Sequence, residues 1–133
     1  MIAKILKRFF LFSLLLSGVV SAQRSGYYIK NYGPKDYGGF NQMWQACQDK
    51  NGLIYFAGTS FIYIFDGTEF QSVLVKSGSA NRQILMDTTT GIIYVGAVGE
   101  FGYLERDSTN GKFKFKSLTG TLPENQKTFS DIW

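Results

Sequence analysis

The segment that most invites a chemical reading is Asp107-Ser-Thr-Asn110-Gly111. Acid and amide side chains leading into a glycine are how a calcium loop begins. The acidic ligand such a loop needs five to six residues further on is missing, because Lys116 and Ser117 stand there. The segment is therefore expected to be a hairpin turn, with Asn110-Gly111 supplying positive φ. Gly96, Gly99 and Gly102 recur at every third position. A nucleotide loop needs GxGxxG and a following helix, whereas strand formers follow here, so a tight turn between strands is expected. Cys47 is the single cysteine, which excludes an internal disulfide and a cysteine metal cluster. With no cation cluster beside it, it reads as a small apolar side chain in a strand. The chain has no histidine. That removes the Ser-His-Asp triad, the Cys-His dyad, the HExxH zinc site and a phosphoacceptor histidine. No catalytic residue, metal ligand or cofactor is assigned, and an enzyme is not expected.

The aromatics offer a different chemistry. Tyr27, Tyr28, Tyr32, Tyr37, Phe40 and Trp44 crowd one stretch. Stacked rings suit the C–H face of a sugar, but aromatics are also the commonest packing material. Packing is the favoured role, and Tyr37 and Trp44 are the ligand-binding candidates. Lys112-Phe-Lys-Phe-Lys116 alternates cation and ring. On a strand the three lysines share one face and both phenylalanines the other, so this is expected as a half-buried strand.

Residues 1–22 read as a targeting segment. Lys4, Lys7 and Arg8 precede an apolar run from Phe9 to Val20, and Val20-Ser21-Ala22 suits signal peptidase. Cleavage is expected between Ala22 and Gln23. The run is shorter than the ~20 residues of a membrane span, so the membrane is involved only through this peptide or through parts beyond the sequence. The expected location is periplasmic or secreted. Three of the 14 basic residues lie in this segment and none of the ten acids, leaving a net charge of +1 on the remainder. That balance does not support a nucleic-acid partner, which needs a basic face on the folded domain.

What must position any site is a run of short aromatic and β-branched segments punctuated by Asp, Asn and Gly. Asp49-Lys-Asn-Gly52-Leu-Ile-Tyr55 realigns with Asp87-Thr-Thr-Thr-Gly91-Ile-Ile-Tyr94, at separations of 38 and 39. A period near 40 with four strands per unit marks a β-propeller blade. The fold class expected is all-β: about two blades of four antiparallel strands plus the start of a third, an incomplete ring. The first blade occupies about 42–78, with strands near 42–48, 53–57, 61–66 and 69–75. The second occupies about 82–120, with strands near 82–87, 92–96, 101–106 and 113–118. Residues 129–133 begin a third, where Ile132-Trp133 resembles Met43-Trp44. Residues 23–41 form a leader that could supply a ring-closing strand. Two blades do not close a ring, so the expectation is an N-terminal fragment of a larger protein.

The leader Tyr28-Ile-Lys-Asn-Tyr32-Gly-Pro34-Lys-Asp36-Tyr37 running into Gln42-Met-Trp44, with Gly91-Ile-Ile-Tyr94-Val-Gly96 and Phe101-Gly-Tyr103-Leu, resembles the two-component regulator propeller sensors common in Bacteroidetes. The resemblance implies a periplasmic ligand-sensing propeller. It is usually followed by a triple-tyrosine domain, a membrane span, and a histidine kinase or helix-turn-helix output. It also implies a homodimeric parent and an extracellular ligand, a glycan in several relatives. The alternative reading is a secreted propeller that binds a carbohydrate or protein partner without signalling output.

Overall fold

The computed structural model describes residues 26, 28–76, 78 and 80–133. The signal peptide expected from sequence and its expected cleavage point at Ala22 and Gln23 lie outside the described residues, as do Tyr27 and the start of the leader. The chain divides into Met1–Asn31 and Tyr32–Trp133. In the described part of the first unit Tyr28 and Ile29 are exposed, and residues 28–31 form no regular element.

The second unit is all-β. Strands β1 (Met43–Gln48), β2 (Ile54–Gly58), β3 (Phe61–Phe65) and β4 (Phe70–Leu74) make one antiparallel sheet in chain order. Strands β5 (Asn81–Met86), β6 (Ile93–Ala97), β7 (Glu100–Arg106) and β8 (Phe113–Ser117) make a second of the same design. Every strand end lies within one residue of the position expected from sequence.

The turns explain this agreement. Four of the six hairpins are headed by an aspartate whose carboxylate accepts backbone N–H groups that the turn would leave unpaired. Asp49 Oδ1 accepts from Asn51 N at 2.8 Å and Leu53 N at 3.0 Å. Asp66 Oδ1 accepts from Thr68 N and Glu69 N, both at 2.8 Å. Asp87 Oδ1 takes Thr89 N at 2.8 Å, and Asp107 Oδ1 takes Thr109 N at 2.9 Å.

Between the sheets lies the core. Tyr55, Ala57, Ile62, Ile64 and Val73 face Ile84, Ile93, Val95 and Leu104, all buried. Alternation along each strand puts these residues on one face, and each large side chain contributes about 1.5–3 kcal/mol on burial. Cys47 packs at the rim of this cluster, half-buried in β1. The sheets meet most closely along β1 and β5. Two glutamines clasp them. Gln45 Oε1 accepts from Ile84 N at 2.7 Å, and Gln71 both donates to Phe113 O at 2.9 Å and accepts from Phe113 N at 3.2 Å.

The outer face of the first sheet carries the leader's second half. No sustained helical period marks this stretch, yet Pro34–Tyr37 forms a four-residue helix, α1. Local chemistry is the reason: Pro34 sits at its first turn, Asp36 Oδ2 accepts from Gly33 N at 2.6 Å, and Gly38 closes it at φ 71°. Tyr37 then meets Tyr63 edge-on, with ring centroids 4.9 Å apart, and Tyr32 meets Phe65 and Phe70 at 5.0 and 5.2 Å.

The outer face of the second sheet is open. Leu85 and Tyr94 are 59% and 37% exposed, whereas the repeat-equivalent Tyr55 is 2% exposed beneath the second sheet. One expectation is corrected here. Of the three glycines spaced by three, only Gly99 (φ 65°) is in the turn. Gly96 and Gly102 lie inside β6 and β7, because a Cβ would fall 2.7 Å from Ile132 and 2.0 Å from the Lys116 carbonyl oxygen.

Candidate functional site

The first strand of each sheet carries the same irregularity. In β1, Met43 pairs with Gly58 and Gln45 with Ala57, so Trp44 is the extra residue of a β-bulge. In β5, Asn81 pairs with Ala97 and Gln83 with Gly96, so Arg82 is the extra residue. A bulge turns one side chain out of the alternation and re-aims it. Buried Asn81 steadies the second bulge by donating Nδ2 to Gly58 O at 2.7 Å.

The passage between sheets is also repeated. Thr59 bridges to Ala80 as the chain enters β5, and the equivalent Val98 bridges to Asp131. Gly99 N and Ile132 N then donate to Ser130 O and Ala97 O at 2.9 and 3.3 Å. Trp133 thereby stands where Trp44 and Arg82 stand in their own units.

The three equivalent residues converge. The Arg82 guanidinium carbon lies 3.8 Å from the Trp44 ring centroid and 5.3 Å from that of Trp133. The indoles are 6.4 Å apart and nearly perpendicular, at 89°. Asp131 Oδ2 approaches Arg82 Nε at 3.7 Å, close enough for charge attraction but too far for a hydrogen bond. Arg82 Nε and Nη1 are buried and have no hydrogen-bond partner among the described residues. The rings are not buried to match: Trp44 is 36% exposed and Trp133 71%.

The two candidates from sequence are placed apart. Trp44 belongs to this cluster. Tyr37 is a packing residue over β3 and β4, held against Tyr63 and Phe70, with its carbonyl accepting from Ser72 Oγ at 2.9 Å. Arg82, Asp131 and Trp133 were not singled out as site residues. The signal that finds them is the likeness of Ile132-Trp133 to Met43-Trp44, carried through the second unit to Asn81-Arg82.

Asp107, Asp49 and Glu100 are committed to structure. Asp107 holds Lys114 Nζ at 2.7 Å through the carboxylate oxygen that a calcium loop would offer to metal. Lys114 first, then Thr109, pulls the Asp107 carboxyl well below the usual range. Burial, and then the hydrogen bond to Asp49 at 3.0 Å, pushes the Tyr55 phenol up. Burial followed by the Asp49 charge pushes the Cys47 thiol up, which keeps it protonated. Buried Glu100 accepts from Ser117 Oγ, Thr119 Oγ1 and Phe101 N. Among the described residues no group of three or more His, Cys, Asp or Glu is placed to hold a metal. An open groove of about 810 Å³ separates the outer edges of the sheets, with Asp66 and Glu69 on one wall and Arg106 and Lys112 on the other.

Comparison with known proteins gave no family model that matches the chain, no matching curated protein and no matching solved structure.

Proposed function

We propose that the two sheets are consecutive blades of a β-propeller that senses an extracytoplasmic ligand, after the manner of the two-component regulator propellers. The observation that carries this reading is the repeated passage from one sheet to the next. Thr59 with Ala80 and Val98 with Asp131 make the same bridge, and the second brings Ile132 onto Gly96 at the open face of the second sheet. A four-stranded sheet with two apolar faces needs cover on both, and radial stacking supplies it.

Binding rather than catalysis is favoured. Asp49, Asp66, Asp87 and Asp107 are engaged in turns and Glu100 by Ser117, Thr119 and Phe101, whereas aromatic and cationic side chains gather at the first strands of the two sheets. The targeting segment expected at residues 1–22 supports a periplasmic or extracellular location, with a glycan as the ligand class that the resemblance suggests.

The test is fractionation of cells producing the full chain, followed by a thermal-shift screen of the exported protein with neutral and acidic oligosaccharides. A processed protein in the periplasmic fraction and a raised Tm with at least one saccharide are expected. Full-length protein retained in the cytoplasm, or a flat screen, overturns the proposal.

A further inference from the structure

We propose that Asn51 is a site of spontaneous covalent modification, at which the side-chain amide is lost as ammonia and a carboxylate takes its place. The modification needs no ligand and is independent of the sensor reading.

The backbone nitrogen that follows an asparagine can attack the side-chain carbonyl carbon. A new C–N bond forms, the bond to the amide nitrogen breaks, and that nitrogen leaves as ammonia with the proton of the attacking N–H. Water then opens the cyclic imide at one carbonyl or the other, giving aspartate or isoaspartate. Glycine in the second position favours the attack, because it has no Cβ to obstruct it. Asn51-Gly52 and Asn110-Gly111 have this pairing, and Asp66-Gly67 can form the same imide with loss of water. The other asparagines precede residues that carry side chains. All three pairs are exposed between strands of a sheet.

Their hydrogen bonds separate them. The Asp66 carboxylate accepts from Thr68 N, Thr68 Oγ1 and Glu69 N. Those bonds favour its ionised form, which resists a nucleophile. Asn110 is held twice: its Oδ1 accepts from Lys112 N at 2.9 Å, and Gly111 N donates to Asp107 O at 2.8 Å. The side-chain amide of Asn51 makes no hydrogen bond among the described residues. Only Gly52 N is held, by Asp49 O at 3.1 Å. Exposed turn bonds open locally without global unfolding. Asn51 has one such bond to lose, and Asn110 has two. A single bond of this kind slows the reaction by about two- to tenfold.

Conversion alters the surroundings of Asn51. Asn51 lines a hollow of about 190 Å³ between the first hairpins of the two sheets, with Asp49 and Asp87. A third carboxylate there meets like charge, offset in part by Lys50. Isoaspartate also inserts a main-chain methylene into the turn, between the Asp49 carboxylate and the Leu53 N–H that it holds at 3.0 Å.

The test follows both asparagines in the purified full chain, incubated for weeks at mildly alkaline pH and sampled by tryptic mapping with mass spectrometry. Cleavage at Lys50 and Lys76, and at Arg106 and Lys112, puts Asn51 and Asn110 in separate peptides. A parallel incubation in concentrated urea removes both turns, and there the two should convert at similar rates. In the native chain Asn51 is expected to convert about fivefold faster than Asn110. An isoaspartate-specific methyltransferase should label the Asn51 peptide, and the converted protein should show a lowered Tm. Asn51→Gln, whose longer side chain disfavours the imide, should abolish conversion at that position and leave Asn110 unchanged. Asn51 that stays intact in the native chain while both asparagines convert in urea overturns the proposal. Native conversion of Asn110 as fast as that of Asn51 overturns it as well.

Discussion

Gln71 ties the outer edge of the first sheet to the second through both ends of its amide, at 2.9 and 3.2 Å from the Phe113 backbone. Replacing it with methionine keeps the length of the side chain and removes both bonds. A net hydrogen bond in a partly buried setting contributes about 0.5–1.5 kcal/mol, so two give about 1–3 kcal/mol, with about 2 as the central expectation. Urea unfolding of a domain this size has a slope of roughly 2 kcal/mol per M, so the midpoint should fall by about 1 M with the slope unchanged. Exchange of the Phe113 amide hydrogen should accelerate while that of Val95, deep in the second sheet, changes only with global stability. Gln45 clasps the opposite edge at Ile84, three strands away at ~4.8 Å each, so the Gln45→Met loss should add to that of Gln71→Met within about 0.5 kcal/mol. A loss below about 0.5 kcal/mol for Gln71→Met, or a changed slope, would refute the view that this amide couples the sheets.

Two other outcomes follow from the turns and the leader. Glu69 N–H first, and then the Thr68 hydroxyl and N–H, hold the Asp66 carboxyl down at about 2 against an ordinary 3.8, and Asp87 and Asp107 are lowered as well. Their stabilisation is complete above about pH 4 and is lost as pH falls through the native values, so Tm should drop between pH 4 and pH 2. Asp66→Asn, which keeps an accepting oxygen without the titration, should flatten that drop. Gly39 packs so closely on Tyr63 that a Cβ would lie 1.6 Å from its hydroxyl oxygen, and Tyr63 is fully buried. Gly39→Ala should cost about 1–3 kcal/mol in urea unfolding, with partial recovery when Tyr63→Phe removes the oxygen.

The sheets were legible because their boundaries are local. Asp49, Asp66, Asp87 and Asp107 each announce a turn by chemistry within four residues, and aromatic or β-branched runs fill the intervals. The roles of Phe113 and Phe115 against the exposed lysines followed from period two alone. What stayed hidden depends on position across the fold. Gly96 looks like a turn residue until Ile132 is seen lying on it, and Gly102 until the neighbouring strand is seen to crowd it. Trp44 gave a signal as an aromatic in a ring-rich stretch of sequence, but its neighbour Arg82 is 38 residues away and Trp133 is 89. Their meeting requires two bulges and a repeated passage between sheets, neither of which composition or alternation encodes. Tyr37 was legible as an aromatic and illegible as a partner of Tyr63, because that contact depends on the short helix starting at Pro34.

Every strand in the two sheets pairs with its neighbour in sequence. Each sheet is therefore a meander whose hairpins close over short loops, and such low contact order favours fast formation of the sheet itself. The slow element is the face. The side of the first sheet that carries Tyr55, Ile62 and Ile64 waits for residues 81–117 before it is covered. At a synthesis rate of about 5–20 residues per second, that interval is on the order of several seconds. During it a finished sheet shows an apolar surface to its surroundings, and newly made chains would be most prone to associate with one another, or to need a holding chaperone, in that window.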